Sequence, residues 1–90
     1  IDGNIDDVMS PNPVDQKFAA FGWHVQVIDG HDFQQIADAV AAAKAEQGKP
    51  SVIIAKTVKG KGVSYMENQA GWHGSAPSEE QVAQAMSELN

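Results

Sequence analysis

A short loop with two glycines carries half of the positive charge of this 90-residue chain. The loop runs from Lys56 to Gly62 with the sequence Lys-Thr-Val-Lys-Gly-Lys-Gly, and it holds three of the six basic side chains. No acidic residue occurs between Pro50 and Met66. Lysine ammonium groups beside glycines, which allow close approach to the backbone, suit a phosphate or diphosphate group. The loop therefore indicates an anion-binding site.

Within this loop, Lys59 is the strongest candidate for direct contact with an anion, because it lies beside Gly60 in the middle of the cluster. Residue chemistry alone leaves a solvated loop lysine as an equal alternative. Lys56 and Lys61 are expected to raise the local positive potential rather than to bind directly. Gly60 and Gly62 are expected to adopt positive φ, and the functional interpretation adds room for a phosphate beside the backbone.

A second motif, Gly71-Trp72-His73-Gly74, places a histidine in a loop of small and polar residues. An imidazole held there could pass protons or donate a hydrogen bond to an anion. The alternative is a surface histidine packed on Trp72. We expect His31 to be a turn residue and His24 to be a structural histidine. The three histidines show no metal-ligand spacing.

The composition limits the classes of partner. Six basic and twelve acidic residues give a formal charge of −6, which argues against nucleic acid or an anionic membrane as the main partner. The absence of cysteine excludes disulfides and fits a cytoplasmic location. No apolar stretch approaches membrane-spanning length, and the N-terminus lacks a secretory pattern. The first residue is Ile1 rather than methionine, so we expect this chain to be a fragment of a longer subunit.

Alternating helix and strand patterns position the two loops. The predicted elements, in order, are a loop 1–13 with a helix start at Asn12-Pro13, a helix 14–21, a strand 23–28, a helix 33–47 capped by Asp32 and Gln35, a strand 51–55, a loop 56–77, and a helix from a Ser78–Gln81 capping box to about Leu89. The buried stripe of the long helix is expected to comprise Phe33, Ile36, Ala37, Val40 and either Ala43 or the Lys44 stem.

A strand, a helix and a second strand in this order predict a right-handed parallel crossover, the unit of an α/β sheet. The loops that follow the two strands leave their carboxyl ends, where open α/β sheets bind ligands. Two strands alone leave sheet edges open. The remaining strands are therefore expected from another part of the same domain.

Several blocks of the sequence occur together in the order seen in one family. The blocks are Phe21-Gly22-Trp23-His24-Val25, Ile28-Asp29-Gly30-His31-Asp32, Gly48-Lys49-Pro50, Ala55 to Gly62, and Trp72-His73-Gly74. With these blocks the chain resembles transketolase, and most closely the N-terminal subunit of the split bacterial form. The resemblance implies a parallel-sheet, three-layer α/β/α fold, of which residues 1–90 form the C-terminal portion of the domain that binds the diphosphate of thiamine diphosphate.

The same resemblance assigns roles within a cofactor and substrate loop at residues 56–77. Lys59 matches a lysine that reaches the diphosphate in several family members, and Gly60 is assigned to cofactor binding through the loop backbone. His73 matches a histidine that contacts both the diphosphate and the substrate and assists proton transfer. The implied reaction moves a two-carbon ketol unit from a ketose phosphate to an aldose phosphate.

The sequence also departs from the family. The Gly-Asp-Gly motif and the Asn-rich segment that hold Mg²⁺ are absent, and the metal ligands are expected upstream of Ile1. The residues that activate the aminopyrimidine belong to a pyrimidine-binding domain, expected here on a C-terminal transketolase subunit. This chain alone is therefore expected to be inactive. Two alternatives stay open: a fragment of an enzyme like 1-deoxyxylulose-5-phosphate synthase, and a non-catalytic assembly piece of this fold.

Overall fold

A computed structural model describes residues 1–90, which form two compact units. The elements are α1 (Ile5–Val8), α2 (Val14–Ala20), β1 (His24–Asp29), α3 (Phe33–Ala45), β2 (Ser51–Lys56), a 3₁₀ turn (Ala70–Trp72) and α4 (Glu79–Glu88). We call Pro11–Thr57 the strand unit, and Ile1–Ser10 with Val58–Asn90 the loop–helix unit. None of the helices has the length and apolar content needed to cross a membrane.

The strand unit contains the predicted parallel crossover. β1 pairs with β2 in parallel, in a register that places His24 opposite Ser51 and Asp29 opposite Lys56. The backbone N–H of Gly30 extends the ladder by donating to the Lys56 carbonyl at 2.7 Å. The carboxyl ends of both strands therefore lie side by side, as the sequence predicts.

Two helices cover opposite faces of this small sheet. On one face, the Gln26 side-chain amide donates to the Ala39 carbonyl of α3 at 2.9 Å. On the other face, Val14 and Asp15 of α2 line a pocket with Val27. Because successive strand residues point to opposite faces, α2 and α3 form separate layers. The predicted α/β fold with three layers, α/β/α, is confirmed as a partial sheet of two strands.

The buried face of α3 differs from the predicted one. Ala39, which the prediction omitted, is 3% exposed, whereas Phe33 is 89% exposed. Ile36 and Ala43 are half-buried as predicted, but Val40 is 40% exposed. The small Ala39 lets the helix backbone approach β1 closely enough to accept the Gln26 hydrogen bond. That contact turns the packed face toward positions 36, 39 and 43.

The predicted N-terminal caps of α2 and α3 also differ in part from those in the structure. Pro13, not Asn12, is the N-cap residue of α2, and it makes no side-chain capping bond. At α3, the Asp32 carboxylate accepts from the Gln35 N–H at 3.0 Å, as predicted. The Gln35 side chain does not complete a capping box, because its carbonyl oxygen accepts from the Asp29 N–H at 2.9 Å. The hydrogen bond from the Gln35 backbone lowers the pKa of Asp32 below its ordinary value.

The loop–helix unit contains one confirmed element and two unpredicted turns of helix. The Ser78–Gln81 capping box of α4 is complete, with Ser78 N–H donating to Gln81 at 2.8 Å and Gln81 N–H donating to Ser78 at 3.3 Å. The prediction missed α1, where Asn4 accepts from the Asp6 N–H at 2.9 Å. It also missed the 3₁₀ turn Ala70–Trp72. Both are too short for a periodic apolar pattern to mark them.

Candidate functional site

The basic loop is divided between the two units. Lys56 ends β2 in the strand unit, where it lines a pocket of about 60 Å³ together with residues of α2 and both strands. Lys59, Gly60 and His73 belong to the loop–helix unit. The structure thus groups the three predicted site residues in one unit and places Lys56 in the other.

The segment after β2 is wound into successive turns. Lys61 N–H donates to the Val58 carbonyl at 3.2 Å, and Val63 N–H donates to the Gly60 carbonyl at 3.2 Å. The Lys59 carbonyl accepts from the Asn68 N–H at 2.9 Å, which closes the loop on itself. Val63 is only 6% exposed and forms the core of this unit. The loop is therefore a folded structure with its own buried anchor.

Gly60 is required by the fold of this loop. Its φ is +72°, in the left-handed region, and a Cβ placed there would lie 2.6 Å from the backbone carbonyl carbon and oxygen of Met66. Atoms do not normally approach so closely, so any side chain at position 60 would force the backbone to shift. On the side where a Cβ would project, the space is filled by Met66 rather than open to a phosphate. Contact of Gly60 with a cofactor through its N–H stays a prediction.

The backbone around Lys59 leaves two adjacent hydrogen-bond donors. The N–H groups of Lys59 and Gly60 find no backbone acceptor in the loop. The Lys59 side chain is exposed and takes part in no ion pair. Neighbouring N–H groups at the tip of a turn, next to an ammonium group, are the donors that a phosphate group uses. The residues present therefore fit a diphosphate.

Lys61 differs from Lys59 because a carboxylate neutralises it. The Lys61 ammonium lies 3.9 Å from a Glu67 carboxylate oxygen, and that oxygen also accepts from the Gly62 N–H at 2.9 Å. Lys61 therefore raises the local positive potential less than the sequence alone predicts. Glu67 was not among the predicted site residues, although a lone acidic residue directly after the basic segment was a usable signal.

His73 lies at the end of an anchored turn. Its N–H donates to the Ala70 carbonyl at 3.0 Å, and its side chain is exposed. The neighbouring Trp72 ring packs against Tyr65, with ring centroids 5.3 Å apart, and its indole N–H donates to the Tyr65 carbonyl at 2.9 Å. Trp72 therefore fixes the backbone that carries His73 and leaves the imidazole accessible to a ligand.

The other two histidines have structural positions, as predicted. His24 Nδ1 lies 3.2 Å from Ser51 Oγ across the two strands. The N–H of His31 donates to the Asp29 carboxylate at 2.8 Å within the turn after β1. No three His, Cys, Asp or Glu side chains cluster in a way that could hold a metal ion.

Comparison with known proteins places this chain in a family. All 90 residues match the family described as transketolase, thiamine diphosphate binding domain. The chain is 45% identical over 89 residues to the 6-deoxy-6-sulfo-D-fructose transketolase subunit SqwG of Clostridium sp. (strain MSTE9), covering 99% of this chain and 32% of that protein.

Two further relatives carry transketolase names. An apulose-4-phosphate transketolase subunit from Phocaeicola vulgatus is 37% identical over 90 residues, covering 100% of this chain and 32% of that protein. Transketolase 2 of Xanthobacter flavus is 40% identical over 84 residues, covering 92% of this chain and 12% of that protein. The chain thus spans about a third of the length of the two subunit-type relatives.

The resemblance to transketolase inferred from the sequence blocks is confirmed, including the similarity to proteins named as transketolase subunits. The matched family binds thiamine diphosphate, whose diphosphate is the kind of anion that the Lys59 loop fits. This chain belongs to the thiamine diphosphate-binding domain family of transketolases.

Proposed function

We propose that residues 56–77 bind the diphosphate of thiamine diphosphate, and that residues 1–90 are the C-terminal portion of the domain that holds it. The observation that carries this proposal is the exposed Lys59 ammonium without a carboxylate partner, next to two N–H groups without backbone acceptors. In a chain of this family, the natural ligand for those donors is the cofactor's diphosphate.

In this proposal, some residues of the loop bind the cofactor and one acts on the substrate. The Lys59 ammonium and the N–H groups of Lys59 and Gly60 bind diphosphate oxygens and balance their charge. The His73 imidazole donates to a substrate oxygen and moves a proton at that atom. When bound, the cofactor supplies the electron sink for cleavage of a carbon–carbon bond. The fixed turn at Trp72 keeps His73 in place while it acts.

The parent protein, in this proposal, transfers a two-carbon ketol unit from a ketose phosphate to an aldose phosphate. The names of the relatives support a transketolase reaction on sugar derivatives, and the word subunit in two of them supports a split enzyme. We therefore propose a C-terminal transketolase subunit with the pyrimidine-binding domain as the partner. Mg²⁺ is proposed as the second cofactor, held by ligands outside residues 1–90.

A comparison of two lysine variants in the assembled enzyme tests this proposal. Lys59→Ala should weaken thiamine diphosphate affinity about 10- to 100-fold, because a charge-assisted hydrogen bond contributes about 1.5–3 kcal/mol. Lys61→Ala removes an equal charge that Glu67 already neutralises, so its effect should be within about threefold, the size of a surface ion pair. Calorimetric titration with the cofactor measures both.

The kinetic readout separates binding from turnover. At saturating cofactor, Lys59→Ala should retain most of the wild-type kcat, because the lost contact holds the cofactor rather than the reacting atoms. Equal affinities for the two lysine variants would contradict the proposal and would make Lys59 a solvated charge. Absence of any cofactor binding by the wild-type assembly would instead support the alternative of a non-catalytic assembly piece.

A further inference from the structure

One face of α4 supports the loop that contains Lys59 and Gly60. The Gln81 carbonyl accepts from the Tyr65 hydroxyl at 2.6 Å, and the Gln84 amide donates to Ser64 Oγ at 3.3 Å. Residues 81, 84 and 88 are spaced by three and four positions, so they lie on the same side of the helix. The loop therefore packs along a single stripe of α4.

Glu88 makes the strongest contact of this stripe. Its two carboxylate oxygens accept from the Ser64 N–H at 2.6 Å and from the Ser64 hydroxyl at 2.7 Å. The Gln84 amide donates to the same carboxylate at 2.8 Å. Hydrogen bonds to an ionised carboxylate are about twice as strong as neutral ones. The Ser64 N–H, followed by the Gln84 amide, lowers the pKa of Glu88 below its ordinary value.

The end of α4 also limits the loop at Gly62. This glycine has a φ of +91°, and a Cβ placed there would lie 2.9 Å from Cδ2 of Leu89. At Gly62 and Ser64 the loop therefore lies against the residues at the C-terminal end of α4. A shift of that end would move the segment that carries the donor groups of Lys59 and Gly60.

From these contacts we infer that Glu88 is a positioning residue for the cofactor loop. By holding both donors of Ser64, it fixes the segment that presents the Lys59 ammonium and the Gly60 N–H. Glu88 does not itself touch the ligand in this inference, which rests on the proposed function of the loop. Binding of the diphosphate is then more favourable, because the loop is already ordered before the ligand arrives.

The test compares Glu88→Gln and Ser64→Ala with Glu80→Gln in the assembled full-length enzyme. Glu80→Gln removes the same charge from the exposed first turn of α4, where the Glu80 side chain makes no hydrogen bond or ion pair with the loop, and serves as the matched control. Three quantities are measured: thiamine diphosphate affinity by calorimetry, kcat at saturating cofactor, and hydrogen exchange of residues 58–68 without cofactor.

We expect Glu88→Gln to weaken cofactor affinity about tenfold, which corresponds to one hydrogen bond to a charged group. Its kcat at saturating cofactor should stay within about twofold, and exchange of the Ser64 amide should become faster. Ser64→Ala keeps the N–H donor and should weaken cofactor affinity about threefold, because it removes one of two bonds and so about half of the free energy of the tenfold effect. The double variant should be no weaker than Glu88→Gln alone, because both changes break the same contact.

Faster exchange with unchanged cofactor affinity would overturn the inference and leave Glu88 a purely structural residue. Unchanged exchange in Glu88→Gln would also overturn it. If Lys59→Ala leaves the affinity unchanged as well, the proposed function itself has failed, because then the loop does not bind the diphosphate. Should Glu88→Gln fail to fold, Ser64→Ala carries the test, since it removes only an exposed hydroxyl.

Discussion

The two units of this chain are stabilised in different ways. The strand unit depends on a parallel backbone ladder and on two helices packed against its opposite faces. In the loop–helix unit, side chains bind backbone groups distant in sequence, as Glu88 binds Ser64 across 24 residues. The strand unit is thus a regular scaffold, whereas the loop–helix unit depends on a few individual contacts.

This difference matters because the candidate chemistry lies in the second unit. Lys59 and His73 are both carried by turns whose backbone is fixed by specific partners: Asn68 for Lys59, and Trp72 with Tyr65 for His73. A regular sheet tolerates many apolar substitutions, but a single lost contact can displace such a turn. Substitutions that remove a single side-chain contact of these turns should therefore affect function before they affect global stability.

The largest expected effect is that of His73→Ala in the assembled enzyme. Loss of an acid–base group or of a donor to developing charge should lower kcat about 10²–10³-fold, with the thermal unfolding midpoint nearly unchanged. His73→Gln keeps one hydrogen bond but cannot pass a proton, so it should be closer to alanine than to wild type. Steady-state kinetics at saturating cofactor and a thermal melt measure the two quantities.

An alanine variant that retained more than about a tenth of the wild-type kcat would lie outside the range of an acid–base group. A lower melting midpoint with near-normal turnover would show that His73 has a structural role only. Either result would remove the functional distinction between the two units at this position.

The next effect concerns stability and compares one glycine from each unit. Gly60→Ala should cost about 2–5 kcal/mol, because left-handed φ is unfavourable for alanine and the new Cβ would collide with the Met66 backbone. Gly48→Ala, in the strand unit, has a similar φ of +86° but nothing within 4 Å of a new Cβ, so it should cost about 1–2 kcal/mol. Urea unfolding of both variants provides the comparison.

Gly71→Ala supplies the baseline, since its φ is not in the left-handed region and no atom lies within 4 Å of a new Cβ. Equal costs at positions 60 and 48 would show that the close approach of Met66 adds no constraint.

The smallest effect is a pH dependence with one carboxylate in each unit. Asp32 and Glu88 both have a lowered pKa, chiefly from the backbone N–H groups of Gln35 and Ser64. A carboxylate with a lower pKa in the folded than in the unfolded state adds stability above its unfolded pKa. That stability is lost as the pH falls through the folded pKa, so the contribution of Glu88 should decline below about pH 4.5 and that of Asp32 below about pH 3.8.

Variants separate the two contributions. Asp32→Asn should flatten the acid limb of stability in the strand unit, and Glu88→Gln should flatten it in the loop–helix unit. Hydrogen exchange between pH 3 and pH 6 of α3 and of residues 58–68 reports each unit by itself. An acid limb with the same slope in wild type and in both variants would contradict the assignment.

Much of the strand unit could be predicted from the sequence, because its elements repeat with a period. The alternation in β1, the apolar run in β2 and the cap at Asp32 each depend on neighbouring residues. The prediction of the buried face of α3 was partly wrong, because the packing is set by the contact of Ala39 with Gln26 rather than by the largest apolar side chains.

In the loop–helix unit, the sequence indicated the candidate site residues mainly through their residue types. Lys59, Gly60 and His73 stand out by charge, conformation and chemistry, but the partners that fix them do not. Glu67 folds back on Gly62, and Glu88 reaches Ser64 from another element. No local pattern encodes the contact of Glu88 with Ser64, so only the three-dimensional structure reveals it.

The most direct test of diphosphate binding by this loop is amide hydrogen exchange on the assembled enzyme with and without thiamine diphosphate. Binding of the diphosphate should slow exchange at Lys59 and Gly60, whose N–H groups lack backbone acceptors, and should leave α3 in the strand unit unchanged. Exchange in residues 58–77 that is the same in both states, under conditions where calorimetry shows that the cofactor is bound, would contradict the assignment of this loop to the diphosphate.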